Sequence, residues 1–153
     1  MQQLQTHIDI QAPASLVWAI LADFRMYKRW NPLIRGVLGR PSTGAQIEVR
    51  LSSLQGSDFS THPTIVRVRE PSELRWLERW TLPGFFSSER RFRIVPLPQG
   101  GVRFHHDEHV KGIMVPLLPG RGRLRSKSGF DAMNAALKQR AERACVASLA
   151  ATS

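Results

Sequence analysis

Between Ala12 and Pro32 the chain leaves a strand, turns into a short helix and halts on Trp30-Asn31-Pro32. Ahead of that stretch, Leu4, Thr6, Ile8 and Ile10 alternate with Gln3, Gln5, His7, Asp9 and Gln11. The period of two marks a strand with one buried face. Pro13 opens a helix at little cost, because the first helical position makes no use of an N–H. Leu16, Val17, Ile20 and Leu21 then recur at helical spacing on one side. A second short helical piece is expected over Phe24 to Lys28. The proline turn ends it, since the residue before a proline resists helical geometry.

Strands fill the middle of the chain. Ile34 to Leu38 is one, and Ile47, Val49 and Leu51 alternate with Glu48 and Arg50 in the next. Thr64, Val66 and Val68 are expected to share a face opposite Ile65, Arg67 and Arg69. Leu74, Trp76 and Glu78 face away from Arg75, Leu77 and Arg79. Phe92 and Ile94 alternate with Arg91, Arg93 and Val95, and Val102, Phe104, His106, Glu108 and Val110 with Arg103, His105, Asp107 and His109. Short turns such as Glu70-Pro71-Ser72 separate these runs, which argues for an antiparallel meander. Last comes a long amphipathic helix, with Phe130, Met133, Leu137, Ala141, Ala144 and Cys145 three or four residues apart. A curved sheet closed by such a helix encloses a cavity, and a cavity suggests a ligand.

A chain of 153 residues suits a single domain with one core, here residues 1–153. No stretch approaches the roughly 20 apolar residues of a membrane span, and the N-terminus lacks the pattern of a signal peptide. Cys145 is the sole cysteine, so no intramolecular disulfide forms. These features point to a cytoplasmic protein. The net charge of +10, from 22 Lys and Arg against 12 Asp and Glu, is unusual. It fits an anionic membrane surface, an acidic protein partner or a solvated basic face. Exposed aromatics interleaved with the arginines are missing, so no specific nucleic-acid binding is expected. Oligomeric state is not legible.

Four stretches together resemble one known superfamily. They are Ala12-Pro13 through Val17-Trp18, Asp23 through Trp30-Asn31-Pro32, Phe104 through Lys111-Gly112, and Gly129-Phe130-Asp131-Ala132-Met133-Asn134 with Ala136-Leu137-Lys138. In this order they resemble the SRPBCC, or START-like, proteins, and within them the polyketide cyclase/dehydrase and lipid-transport branch. The resemblance implies an α+β helix-grip fold: a curved antiparallel sheet of six to seven strands around the long C-terminal helix, with two short helices after the first strand. It also implies an apolar ligand held between sheet and helix. A single cysteine cannot supply an iron–sulfur site, which argues against the oxygenase branch, and no cofactor is expected.

The expected liners of that cavity are Trp76, Phe92, Phe104, His106, Glu108, Met133 and Leu137. His106 and Glu108 lie two apart on one strand face and are the polar candidates. They would fix a ligand carbonyl or hydroxyl, or satisfy each other, nearby arginines or water. In an enzyme of the cyclase or dehydratase kind, they would move a proton. Binding is the leading expectation and catalysis the alternative. Trp80, Phe85 and Phe86 flank Pro83-Gly84 and form either a portal or ordinary packing. Trp18 and Trp30 read as packing. His105, Asp107 and His109 are metal-ligand types on the opposite face, where nothing supports their geometry, so no metal is expected. The run Arg121-Gly122-Arg123-Leu124-Arg125-Ser126-Lys127 would serve an anionic surface or lie in a solvated loop. Arg67, Arg69, Arg75, Arg91, Arg93 and Arg103 are expected to make the outer sheet face basic.

Overall fold

A computed structural model describes residues 2–52, 57–117 and 127–152. Strand β1 (Gln2–Ile10) leads into helix α1 (Ala14–Ala22), a 3-10 turn (Phe24–Met26) and helix α2 (Tyr27–Trp30). Strands β2 (Ile34–Leu38), β3 (Glu48–Leu51), β4 (Phe59–Thr61), β5 (Thr64–Arg69), β6 (Glu73–Arg79), β7 (Ser87–Pro96) and β8 (Val102–Lys111) follow. Helix α3 (Lys127–Ala151) comes last. All pairings are antiparallel, in a five-stranded sheet of order β1-β8-β7-β6-β5 and a three-stranded sheet of order β2-β3-β4. A bridge between Gln46 and Thr64, with the amides of Ile47 and Ile65 donating to the carbonyls of Pro63 and Ala45, joins the two.

This is the helix-grip arrangement, with eight strands among the described residues where six or seven were expected. Strand β4 escapes sequence reading because it has three residues, too few for a period to show. One expected face is also corrected. A bulge between Ile65 and Arg67 offsets the alternation, so Ile65 is fully buried while Val66 is exposed. One extra residue in a ladder reverses the parity of everything on one side of it.

Helix α3 lies on the inner face of the five-stranded sheet. Phe130, Met133, Leu137 and Ala141 form its buried stripe, as their spacing demands, and Cys145 packs at its margin. Its middle is moored to the end of β1 and the residue after it: Lys138 Nζ donates to the Asp9 carbonyl, and the Gln11 amide donates to the Glu142 carboxylate. The turn after α1 is held from within. The Tyr27 hydroxyl donates to the Leu21 carbonyl, and Asn31 Oδ1 accepts from the amides of Leu33 and Ile34. The last contact replaces the backbone bonds lost where Pro32 stops the helix.

Leu137 is completely buried on α3. Replacing it by Ala is predicted to lower unfolding free energy by about 2–5 kcal/mol in urea titration, the cost of a cavity in packed surroundings. A loss well under that range would show open space beneath the helix.

Candidate functional site

His106 sits where β8 passes under α3 and is fully buried. Its ring stacks on Phe130 at 3.9 Å between centroids and 10° between planes. Phe92 closes the other side at 4.8 Å. His106 Nδ1 lies 3.2 Å from Asn134 Oδ1, Asn134 Nδ2 donates to Thr6 Oγ1 at 2.9 Å, and Thr6 Oγ1 donates to the His106 carbonyl at 2.9 Å. This triangle joins β1, β8 and α3. It also settles the tautomer: with the amide nitrogen spent on Thr6, Oδ1 can only accept, so Nδ1 carries the proton. Nε2 is then a lone pair, buried and without a hydrogen-bond partner. Burial, reinforced by the nearby Arg90 charge, holds the imidazole well below the usual histidine range. It is neutral at physiological pH.

Glu108 takes different partners. Arg90 stands directly across the ladder from it, and Ser88 lies two residues earlier on the same face of β7. Ser88 Oγ donates to Glu108 Oε1 at 2.7 Å, and Arg90 Nη2 to Oε2 at 3.4 Å. Arg90 and Glu108 are only 4% and 3% exposed, a buried ion pair. The Arg90 guanidinium also lies 5.1 Å from the centre of the Phe130 ring, a cation–π distance. Its Nη1 is buried with no hydrogen-bond partner.

These groups border a small cleft between the two sheets. Trp76, Glu78, Ser88, Arg90 and Glu108 wall it on one side, and Val49, Leu51, Thr61 and Pro63 on the other. Its volume is about 20 Å³. That suffices for roughly one water.

A family model described as polyketide cyclase/dehydrase and lipid transport matches residues 1–151. The chain belongs to this family. Among solved structures, a START superfamily protein from Mycobacterium smegmatis is 25% identical, with a TM-score of 0.69 over 92% of this chain and 97% of that one. A protein from Mesorhizobium loti is 18% identical, with a TM-score of 0.66 over 93% and 98% of the two chains. The di-domain ARO/CYC BexL reaches a TM-score of 0.72 at 18% identity, over 92% of this chain and 50% of BexL. The last two likenesses show a shared fold. No curated protein matches the sequence.

In this cyclase/dehydrase and lipid-transport family member, the residues expected to line one cavity divide into two groups. Trp76 and Glu108 reach the cleft wall. Phe92, Phe104, His106, Met133 and Leu137 are fully buried in the packed core beneath α3. Phe92 and Phe104 stack at 6.0 Å, and Trp76 meets Phe92 edge-on at 5.1 Å. Trp80 and Phe86 pack at 5.3 Å and line a separate groove of about 390 Å³ with Pro83, Gly84, Arg79 and Lys111. Phe85 is half-buried, and its carbonyl accepts from the Met114 amide. Residues 121, 123 and 125 of the basic run lie outside the described residues. Asp107 is buried against Arg93 rather than exposed beside His105 and His109. Among the described residues, no three His, Cys, Asp or Glu side chains gather as a metal site, and no helix is long and apolar enough to cross a membrane.

Sequence reading missed Ser88, Arg90 and Asn134. A signal for the first two existed: the parity of Phe92 and Ile94, carried back along β7, reaches Arg90 and Ser88. Asn134 is hidden beside Met133 in the buried stripe of α3.

Two outcomes follow. Arg90→Met should cost about 3–5 kcal/mol in chemical denaturation, because it strands a buried carboxylate, and Arg90→Met/Glu108→Leu should recover much of that loss. The unfolded chain protonates His106 below about pH 6.5. The native state resists, so the unfolded state binds more protons and stability falls as pH drops through that range. His105, held low by burial and by Arg93, adds in the same direction. Thermal melts should show this fall toward about pH 5, and His106→Leu should shrink it.

Proposed function

We propose that this protein binds a small or medium apolar molecule, lipid-, polyketide- or aromatic-like, between the five-stranded sheet and α3. The ligand enters at the cleft between the sheets and spreads it. Trp76, Phe92, Phe104, Met133 and Leu137 supply the apolar contact. Arg90, Glu108 and His106 orient one polar group of the ligand. The observation that carries this reading is that two buried polar atoms beside the cleft and the core under α3 have no hydrogen-bond partner. Arg90 Nη1 offers a donor and His106 Nε2 an acceptor, and neither has a partner. Buried polar atoms without partners are rare, and a ligand hydroxyl or carbonyl would satisfy them. Removal of apolar area from water would drive binding, at roughly 25 cal/mol per Å² before the costs of association.

A cyclase or dehydratase activity is the second reading, favoured by the state of His106. The imidazole is neutral, with its proton fixed on Nδ1 and a lone pair on Nε2, which is the form a general base takes before reaction. Glu108 is engaged by Ser88 and Arg90, so any acid/base role would fall on His106. Both readings place the ligand in the same space.

Native mass spectrometry of protein purified from its own host, with extraction of anything bound, tests the proposal. The expected result is a stoichiometric apolar molecule carrying at least one oxygen function. Ser88→Ala should retain less of it, by loosening the carboxylate that positions Arg90. Empty protein that also shows no thermal shift with fatty acids, polyketides or flavonoids would overturn the reading. Turnover of an identified ligand, abolished in His106→Gln with binding intact, would select the enzyme.

A further inference from the structure

The excess positive charge is not where the strands suggest. Five of the six outer-face arginines are paired. Arg67, Arg75 and Arg91 share Glu73, Arg75 and Arg91 also reach Glu89, Arg93 meets Asp107, and Arg103 meets Asp9. The cations of one other place contrast with these. A groove of about 380 Å³ lies between the turn around α2 and the β2–β3 hairpin. Arg25, Lys28, Arg35 and Arg50 line it, all exposed and none ion-paired among the described residues. Glu48 is the one carboxylate lining it, and Phe24, Val37 and Leu38 give it an apolar side.

The backbone is shaped for this opening. The ladder of β2 against β3 slips between Ile34 and Gly36, so Arg35 falls in the irregularity. Such a bulge redirects a side chain. Gly36 is the residue whose absent side chain keeps the groove clear. Its φ is not positive, and a Cβ built there meets nothing within 4 Å. Neither conformation nor close packing demands a glycine at that point. In a strand interior glycine is otherwise unfavourable.

We infer that this groove is a binding site for an organic phosphate, its phosphate held by Arg25, Lys28, Arg35 and Arg50 and its carbon body laid against Phe24, Val37 and Leu38. Four cations against one carboxylate leave three positive charges, more than a carboxylate ligand would balance. A phosphomonoester brings close to two negative charges and oxygens matched to the guanidinium fork. The volume is in the range of small-molecule sites, about 300–1,000 Å³. The inference stands apart from the interior ligand, since the two sets of residues share no member.

Calorimetric titration with phenyl phosphate at low ionic strength is the test. Saturable one-to-one binding is expected, weakening as salt rises. Arg35→Glu and Arg50→Glu should each reduce affinity about tenfold or more. Gly36→Leu fills the groove without changing charge and should do the same. Arg69→Glu, an equal charge change outside the groove, should leave affinity within about twofold. Thermal melts of the four variants establish that each is folded. Sedimentation with phosphatidic acid vesicles separates the sources. Vesicle binding lost in Gly36→Leu assigns the phosphate to a lipid headgroup, whereas phenyl phosphate binding without vesicle binding assigns it to a soluble molecule. Absence of saturable binding to either probe overturns the inference. So does binding that Gly36→Leu leaves intact, or that Arg69→Glu weakens as much as Arg35→Glu.

Discussion

A guanidinium and a carboxylate face each other across β7 and β8, both out of water, and much of the interior is arranged around them. Charges of this kind are tolerated only when paired and hydrogen-bonded. Arg90 and Glu108 meet the demand through each other and Ser88, and Arg90 also leans on the Phe130 face. Phe130 in turn stacks on His106, which is pinned to Asn134 and through it to Thr6. One continuous path of polar and aromatic contacts therefore runs from β7 through α3 and β8 to β1. An apolar core alone would let the helix slide on the sheet. Directional contacts at one level of α3, with the Lys138 and Glu142 moorings farther along, set its position.

The same path is not fully satisfied. Two of its polar atoms are left over, a donor and an acceptor, in space that is otherwise filled by side chains. The family's fold places this region beneath the long helix. Here the space is closed to about one water's volume at the cleft. The proposed ligand would therefore have to move side chains to enter.

Charge follows a separate logic. Outer-face residues of successive antiparallel strands are cross-strand neighbours, so arginines there are brought against Glu73, Glu89, Asp107 and Asp9. These pairs neutralise the face, which is no longer a strong attractor of anions. What remains of the charge of +10 is therefore uneven. The groove beside α2 holds four cations, and there the break in β2 takes Arg35 out of the regular ladder.

Much of this was legible before any coordinates. Periods of two and 3.6 depend on neighbours in the chain, so the strands, the buried stripe of α3 and the inward side of Phe104, His106 and Glu108 could be read directly. The proline turn at Trp30-Asn31-Pro32 was equally local. Contacts between distant segments were not legible. Sequence left open whether His106 and Glu108 satisfy each other, nearby arginines or water; the ladder gave Glu108 to Arg90 and the helix gave His106 to Asn134. Register sets such partners, and register is a property of two strands, not one. The bulges at Ile65 and Arg35, the filling of the space under α3 and the neutralised outer face belong to the same class. Sequence by itself determined the longer elements and the inward faces of the regular ones, because those follow from local geometry and hydrophobicity. Tertiary structure alone decided which buried polar group meets which, and where charge stays unpaired, because both depend on distances that only the packed chain defines.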